Sequence, residues 1–165
     1  MGVLRVLKHL VYPDWLPRRA FPSAAMARIE AAIAESEARH RGEIRFAVEP
    51  SLDLMPLLRG QTARERALEV FAQLRVWDTE ENNGVLIYLL LADHDVEILA
   101  DRGIARVVPQ EDWERISREM ENRFRAGRHE EGVLLGIAGI DRLLTRHYPR
   151  QGERPNELPD RPVRL

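Results

Sequence analysis

Cysteine is absent from this chain, which excludes disulfides, thiolate nucleophiles and sulfur-ligated zinc together and fits a reducing compartment. Neither charge is in surplus: 25 basic and 27 acidic residues leave a formal net charge of −2. That balance provides no broad cationic face, so nucleic acid is not an expected partner. No apolar run reaches the roughly 18 residues needed to cross a bilayer, and the first residues lack the apolar centre and small-residue cleavage site of a secretory signal. A cytoplasmic protein is expected. Repeats, low-complexity segments, a Gly-x-Ser-x-Gly elbow and a phosphate-binding glycine loop are also missing. A Ser-His-Asp triad stays open, because its members need only meet in space.

What is present is a chain of 165 residues, 44% apolar, long enough to bury one proper core. It is organised around Trp77 to Gly103. Gly84 to Leu91 is apolar without a break, as in a strand buried on both faces. Ala92-Asp93-His94-Asp95 supplies turn formers, and Val96 to Ala100 is short enough to return antiparallel. With Asp93-His94 as a two-residue loop, Leu86 would face Asp101 and Gly84 would face Gly103. Such a hairpin gathers Glu80, Glu81, Asn82 and Asn83 beside Asp101 and Arg102 at one end. Asp93, His94 and Asp95 gather at the other, about 25 Å away. Acidic and amide oxygens are the ligands hard cations take, so Glu80, Glu81, Asn82, Asn83 and Asp101 form a candidate calcium or magnesium pocket. His94 lies between two carboxylates that would favour its charged form, although a wet hairpin tip rarely holds preorganised catalytic groups.

Before this stretch, Val3, Val6, Leu7, Leu10 and Val11 recur at helical spacing. Their stripe either packs on the domain or on a second copy of the chain, or serves as an arm that docks a membrane surface or a protein partner. Pro13, Pro17 and Pro22 predict an extended connector. A helix follows from Ser23 to about His40. Glu43 to Glu49 alternates strictly and predicts a strand with Ile44, Phe46 and Val48 inward and a cross-paired solvent face of Glu43, Arg45, Ala47 and Glu49. Thr62 to Glu65 fits a capping box opening a helix with Ala67, Leu68, Phe71 and Leu74 on its stripe; Arg64 and Arg66 near its start read as surface ion pairs. Beyond the hairpin, Pro109 opens a helix carrying Trp113, Ile116, Met120 and Phe124, and a last helix runs from about Glu130 to Tyr148. Its Gly132, Gly136 and Gly139 predict close packing on the sheet. Gln151 to Leu165 reads as extended, with Leu158, Val163 and Leu165 available to dock.

The order of these elements, with Asn82-Asn83-Gly84-Val85-Leu86-Ile87, Ala92-Asp93-His94-Asp95, Asp101-Arg102-Gly103-Ile104 and Phe124-Arg125-x-Gly127, resembles the TPM-domain family over about Glu43 to Tyr148. The resemblance implies a three-layer α/β/α sandwich, an α/β fold whose central mixed sheet contains the buried hairpin. It also implies a divalent-cation site near the Asn-Asn-Gly end, a phosphatase activity proposed for some members, and association with LemA-like membrane proteins. The family more often has Asp-Asn-Gly or Asp-Lys-Gly at Asn82-Asn83-Gly84, and often an acidic residue at Ala105. Losing those carboxylates weakens a hard-cation site unless Asp78, Glu80, Glu81 or Asp101 substitutes. The chain therefore divides into an amphipathic arm and connector (1–21), a TPM-like domain (22–148) and an extended tail (149–165). The expected role is a binding or adaptor module, membrane- or envelope-linked and peripheral to the membrane's inner face, with a LemA-like membrane protein as partner and a homo-oligomer through the first helix as a further option. The alternative is a metal-dependent acid phosphatase-like hydrolase.

Overall fold

The computed structural model describes residues 3–13 and 15–165; the side chain of Val3, one of the arm residues, lies outside the described set. Four strands, β1 (Glu43–Glu49), β2 (Gly84–Leu90), β3 (Asp95–Ala100) and β4 (Val163–Arg164), form one mixed sheet in the order β3-β2-β1-β4. Strand β2 runs parallel to β1, with Glu43 beside Gly84 and Glu49 beside Leu90, and β4 runs parallel to β1 on its other side. Strand β3 returns antiparallel to β2.

The helices α3 (Ser23–Glu37), α7 (Gln110–Arg125) and α8 (His129–His147) cover one face of the sheet. Beneath them lie Ile44, Phe46 and Val48 of β1 and Val85, Ile87 and Leu89 of β2. The opposite face, Ala47, Leu86, Tyr88, Leu90 and Leu99, is covered by α4 (Leu54–Leu58), α5 (Ala63–Gln73) and Leu158 of the tail. The result is a three-layer α/β/α sandwich. Strand β2 is buried at every residue because both faces are covered and both edges are paired. The Thr62–Glu65 capping box forms with both of its hydrogen bonds.

Several expectations change. The hairpin loop has four residues, Leu91 to His94, not two: His94 takes φ +54° and its N–H closes on the Leu91 carbonyl at 3.1 Å. Leu86 therefore pairs with Leu99, and Gly84 meets Asp101, whose N–H donates to its carbonyl at 2.8 Å. A slip of two residues keeps every side chain on its expected face. The alternating face of β1 is not solvated. Glu43 and Arg45 are buried because the tail crosses them: Glu43 Oε2 accepts from the N–H groups of Glu157 and Leu158, and Arg45 Nη1 donates to the carbonyls of Pro159 and Arg161. The three glycines of α8 admit α7 rather than the sheet: a Cβ at Gly132, Gly136 or Gly139 would press on Phe124, Met120 or Ile116. The connector also contains a short helix, α2 (Leu16–Ala20), with Pro17 in its first turn where the missing N–H costs nothing.

Candidate functional site

The rim at the start of β2 is assembled by backbone. Asn82 adopts φ +52°, a left-handed conformation asparagine tolerates, and its carbonyl accepts the Gly103 N–H at 2.9 Å. A Cβ at Gly103 would overlap the carbonyls of Glu81 and Asn82, so only glycine lets the two segments touch. Asp101 caps α6 (Arg102–Ala105) with Oδ1 on the Arg102 N–H at 2.7 Å. Thr79, not singled out from the sequence, accepts the Asn83 N–H on its hydroxyl at 3.0 Å, while Asn83 Nδ2 donates to the Arg41 carbonyl. The hairpin thus brings Asn82, Asn83, Asp101 and Arg102 together, with Glu80 and Glu81 on the adjoining turn.

Their chemistry does not fit a calcium or magnesium site. Glu81 is held by two guanidinium groups, Arg154 at 2.6 Å and Arg41 at 3.1 Å, and Asn82 Oδ1 accepts from Arg102 Nε at 2.8 Å. Glu80 is exposed, and its backbone N–H goes to Glu157. At this rim, among the described residues, the buried oxygens without a partner are Asn83 Oδ1 and Asp101 Oδ2, against the six to eight oxygens calcium takes. Among the described residues no cluster of three or more acidic, histidine or cysteine side chains is placed to hold a metal.

At the other end of the hairpin, Asp93 is taken by the first helix, α1 (Val3–Leu10). Arg5 Nε donates to its Oδ2 at 2.9 Å, and His9 Nε2 lies 3.1 Å from Oδ1 in a close contact rather than an aligned hydrogen bond. Burial would raise this carboxyl, but Arg5 and His9 together hold it below its ordinary value. His94 behaves opposite to expectation. Burial, with Lys8 and Arg125 behind it, lowers its pKa, and the opposing pull of Asp93 is smaller than these. Asp95 is pushed up to about 6 by burial and by the negative charges of Glu97, Glu121 and Asp93. Arg102 stays at the Asn82 end, so it is not part of this cluster.

A Ser-His-Asp trio does meet in space, at Ser36, His40 and Asp141. The Ser36 hydroxyl lies 2.8 Å from His40 Nε2 and 3.2 Å from Asp141 Oδ1, while His40 Nδ1 accepts the Gly42 N–H at 3.1 Å. That tautomer puts the proton on Nε2, facing the hydroxyl, so the imidazole cannot accept the serine's proton. Burial lowers its pKa to about 4, and with Ser36 0% and His40 2% exposed no substrate reaches either. The trio ties α3 to α8. Arg66 pairs with Glu49 at 2.9 Å and Arg64 with Glu97 at 3.0 Å, as structural ion pairs.

Sequence reading missed the acidic group beneath the tail. Glu37 accepts the Ile44 N–H at 2.6 Å, and burial, with Glu43 and Asp160 nearby, pushes its carboxyl up to about 9. The proline-spaced tail was its only local signal.

The first helix presents the largest departure from ordinary packing. It meets the domain with Arg5, Val6 and His9, whose Nδ1 accepts the Leu52 N–H at 3.0 Å, and it faces water with Leu4, Leu7, Leu10 and Val11. Leu4 is 83% and Val11 76% exposed. Leu54, Met55 and Leu58 of α4, the helix α1 packs against, are exposed as well. No helix among the described residues is long and apolar enough to cross a membrane.

Comparison with known proteins supplies the lineage. The NMR structure of BA42 from the psychrophilic bacterium Bizionia argentinensis superposes with a TM-score of 0.78 at 27% identity, covering 88% of this chain and 95% of that one. The N-terminal domain of a P. gingivalis protein, also solved by NMR, matches at a TM-score of 0.62 and 17% identity over 86% of this chain and 95% of its own, a likeness of fold alone. No curated protein matches the chain. The TPM domain profile matches residues 18–143, most of the length, and with that span the chain belongs to the TPM domain family.

Proposed function

We infer that this TPM domain works as a binding module that seats on an anionic membrane surface through the outward face of α1. The observation that carries the reading is the inverted attachment of that helix. Polar residues hold it to the domain, through Arg5 and His9 on Asp93, while its leucines and Val11 point to water. A face of this kind normally meets something. Lipid suits it, because the first twenty residues carry Arg5, Lys8, Arg18 and Arg19 against the single acid Asp14, and Trp15 is exposed with Arg19 over its ring. The helix is already folded and docked, so little ordering entropy is lost on binding.

Cosedimentation with phosphatidylcholine vesicles, with and without phosphatidylglycerol, tests this. The protein should bind the anionic vesicles, less so at high salt. The double variant Leu7→Asp/Val11→Asp should lose binding well over tenfold, since each side chain contributes about 1.5–3 kcal/mol when buried. Its melting profile should be unchanged. Vesicle binding that ignores the double substitution, or no binding by the parent, overturns the reading. Calcium added to the same samples should leave both binding and melting midpoint where they were; a clear rise would instead support a cation-dependent role.

A further inference from the structure

Strand β3 is the outer strand of the sheet, and among the described residues nothing pairs with its free edge. The Asp101 to Gly84 hydrogen bond fixes which groups face outward. Because bonded pairs alternate along an antiparallel ladder, Leu99, Glu97 and Asp95 exchange bonds with β2, and the N–H and C=O groups of Val96, Ile98 and Ala100 point away from it. These three residues are not on an open, wet rim. A groove follows the whole strand, walled by α5 on one side and α7 on the other, with Val96 and Ile98 3% and 4% exposed on its floor. A long unprotected edge is normally blunted by charge, a bulge or a covering element, and here the strand is regular over six residues.

We propose that this edge receives an extended peptide from another protein as an added strand, one that carries an apolar side chain and, four residues along on the same face, a lysine or arginine. The backbone supplies the pairing, and the two ends of the groove supply the pattern. Near Ala100 the wall is apolar: Leu68, Phe71, Leu99, Val108 and Trp113 line it. At the far end Asp95 has neither ion pair nor hydrogen bond among the described residues, while its neighbours Glu97 and Glu121 have Arg64 and Arg125. Side chains on one face of a strand recur every second residue, so Leu99 and Asp95 look the same way, four residues or about 13 Å apart. A peptide cation there would relieve the negative charge crowded around Asp95, and six residues of strand give room for the usual mode of strand addition.

The groove runs along β3, and only its Asp95 end adjoins Asp93, the anchor of α1; its test uses no lipid and stands or falls apart from membrane binding. The probe is a blocked heptapeptide, Thr-Leu-Thr-Val-Thr-Lys-Thr, together with its reversed order, titrated into the isotopically labelled full chain. Binding of either should shift and slow the hydrogen exchange of the Val96, Ile98 and Ala100 amides. Glutamate in place of the peptide lysine, or N-methylation of the backbone groups that face β3, should weaken binding tenfold or more; Asp95→Asn should weaken it about fivefold. Three results overturn the proposal. One is no shift at millimolar peptide. Another is equal binding of the lysine and glutamate peptides. The third is protection of the same amides that rises with protein concentration alone, which would assign the edge to a second copy of the chain.

Discussion

Single side chains in this protein answer to contacts far along the chain. Glu37 sits near the end of α3, where helical spacing alone marks it as solvent-facing. Burial first, then the charges of Glu43 and of Asp160 from the tail more than a hundred residues later, raise its carboxyl to about 9. In the unfolded chain the same group titrates near the ordinary glutamate value of about 4.5. The folded state therefore holds a proton that the unfolded state releases. Its contribution is fully present below about 4.5 and is lost as pH rises through 9. We expect Glu37→Gln, which keeps an oxygen for the Ile44 N–H and a donor for Asp160, to raise the melting midpoint at pH 8 and to flatten the decline between pH 5 and 9; midpoints measured across that range check it. His40 acts in the opposite sense. Lowered to about 4, it contributes above its ordinary 6.5 and loses that contribution as pH falls through 4. Gly84 is constrained by shape instead of charge. A methyl there would overlap the backbone carbonyl of Val76, which cannot rotate aside, so Gly84→Ala should cost about 3 kcal/mol by denaturant titration, at the upper end of overpacking effects.

At the scale of elements, α1 is anchored through Asp93 together with the Arg5 and His9 contacts to the Gln61 carbonyl and the Leu52 N–H. Removing the charge in Asp93→Asn should weaken the hold of Arg5 and His9 by about 1.5–3 kcal/mol, and amide exchange over residues 3–10 should speed tenfold or more while β2 is unaffected. Where the elements lie was largely legible in the sequence. Unbroken apolarity marked β2, the Thr62 to Glu65 capping box marked α5, and Pro109 and Gly127 bracketed α7, because each signal is local and backbone chemistry enforces it. What each element touches was less so. Strand β1 alternates like a half-wet strand, yet its Glu43 and Arg45 are buried by a tail whose own sequence has no periodicity. The loop between β2 and β3 was misjudged because His94, a residue that tolerates positive φ, closes a longer turn that takes Leu91 and Ala92 from the β2 side. The rim residues were correctly gathered, but Arg41 and Arg154, the side chains that occupy Glu81, come from segments no hairpin argument reaches.

Across the whole molecule, two apolar layers share one sheet. Successive residues of β2 alternate between them: Leu86 belongs to the core under α5 and Ile87 to the core under α3, α7 and α8. Neither layer can loosen without disturbing the strand that carries both. Leu86→Ala and Ile87→Ala should each cost about 2–5 kcal/mol and still give one thermal transition, coincident by far- and near-ultraviolet circular dichroism. A second transition in either variant would show that the layers melt separately. The turn at Leu91 to His94 also bears on how such a scaffold can vary. Lengthening or shortening that turn by an even number of residues would slide β3 along β2 like a bolt in its track, carrying Asp101 past the asparagines in steps of about 7 Å while the interior stays the same. An odd change would turn the strand inside out unless a bulge absorbed it, so the polar end of this hairpin can be retuned only in paired increments.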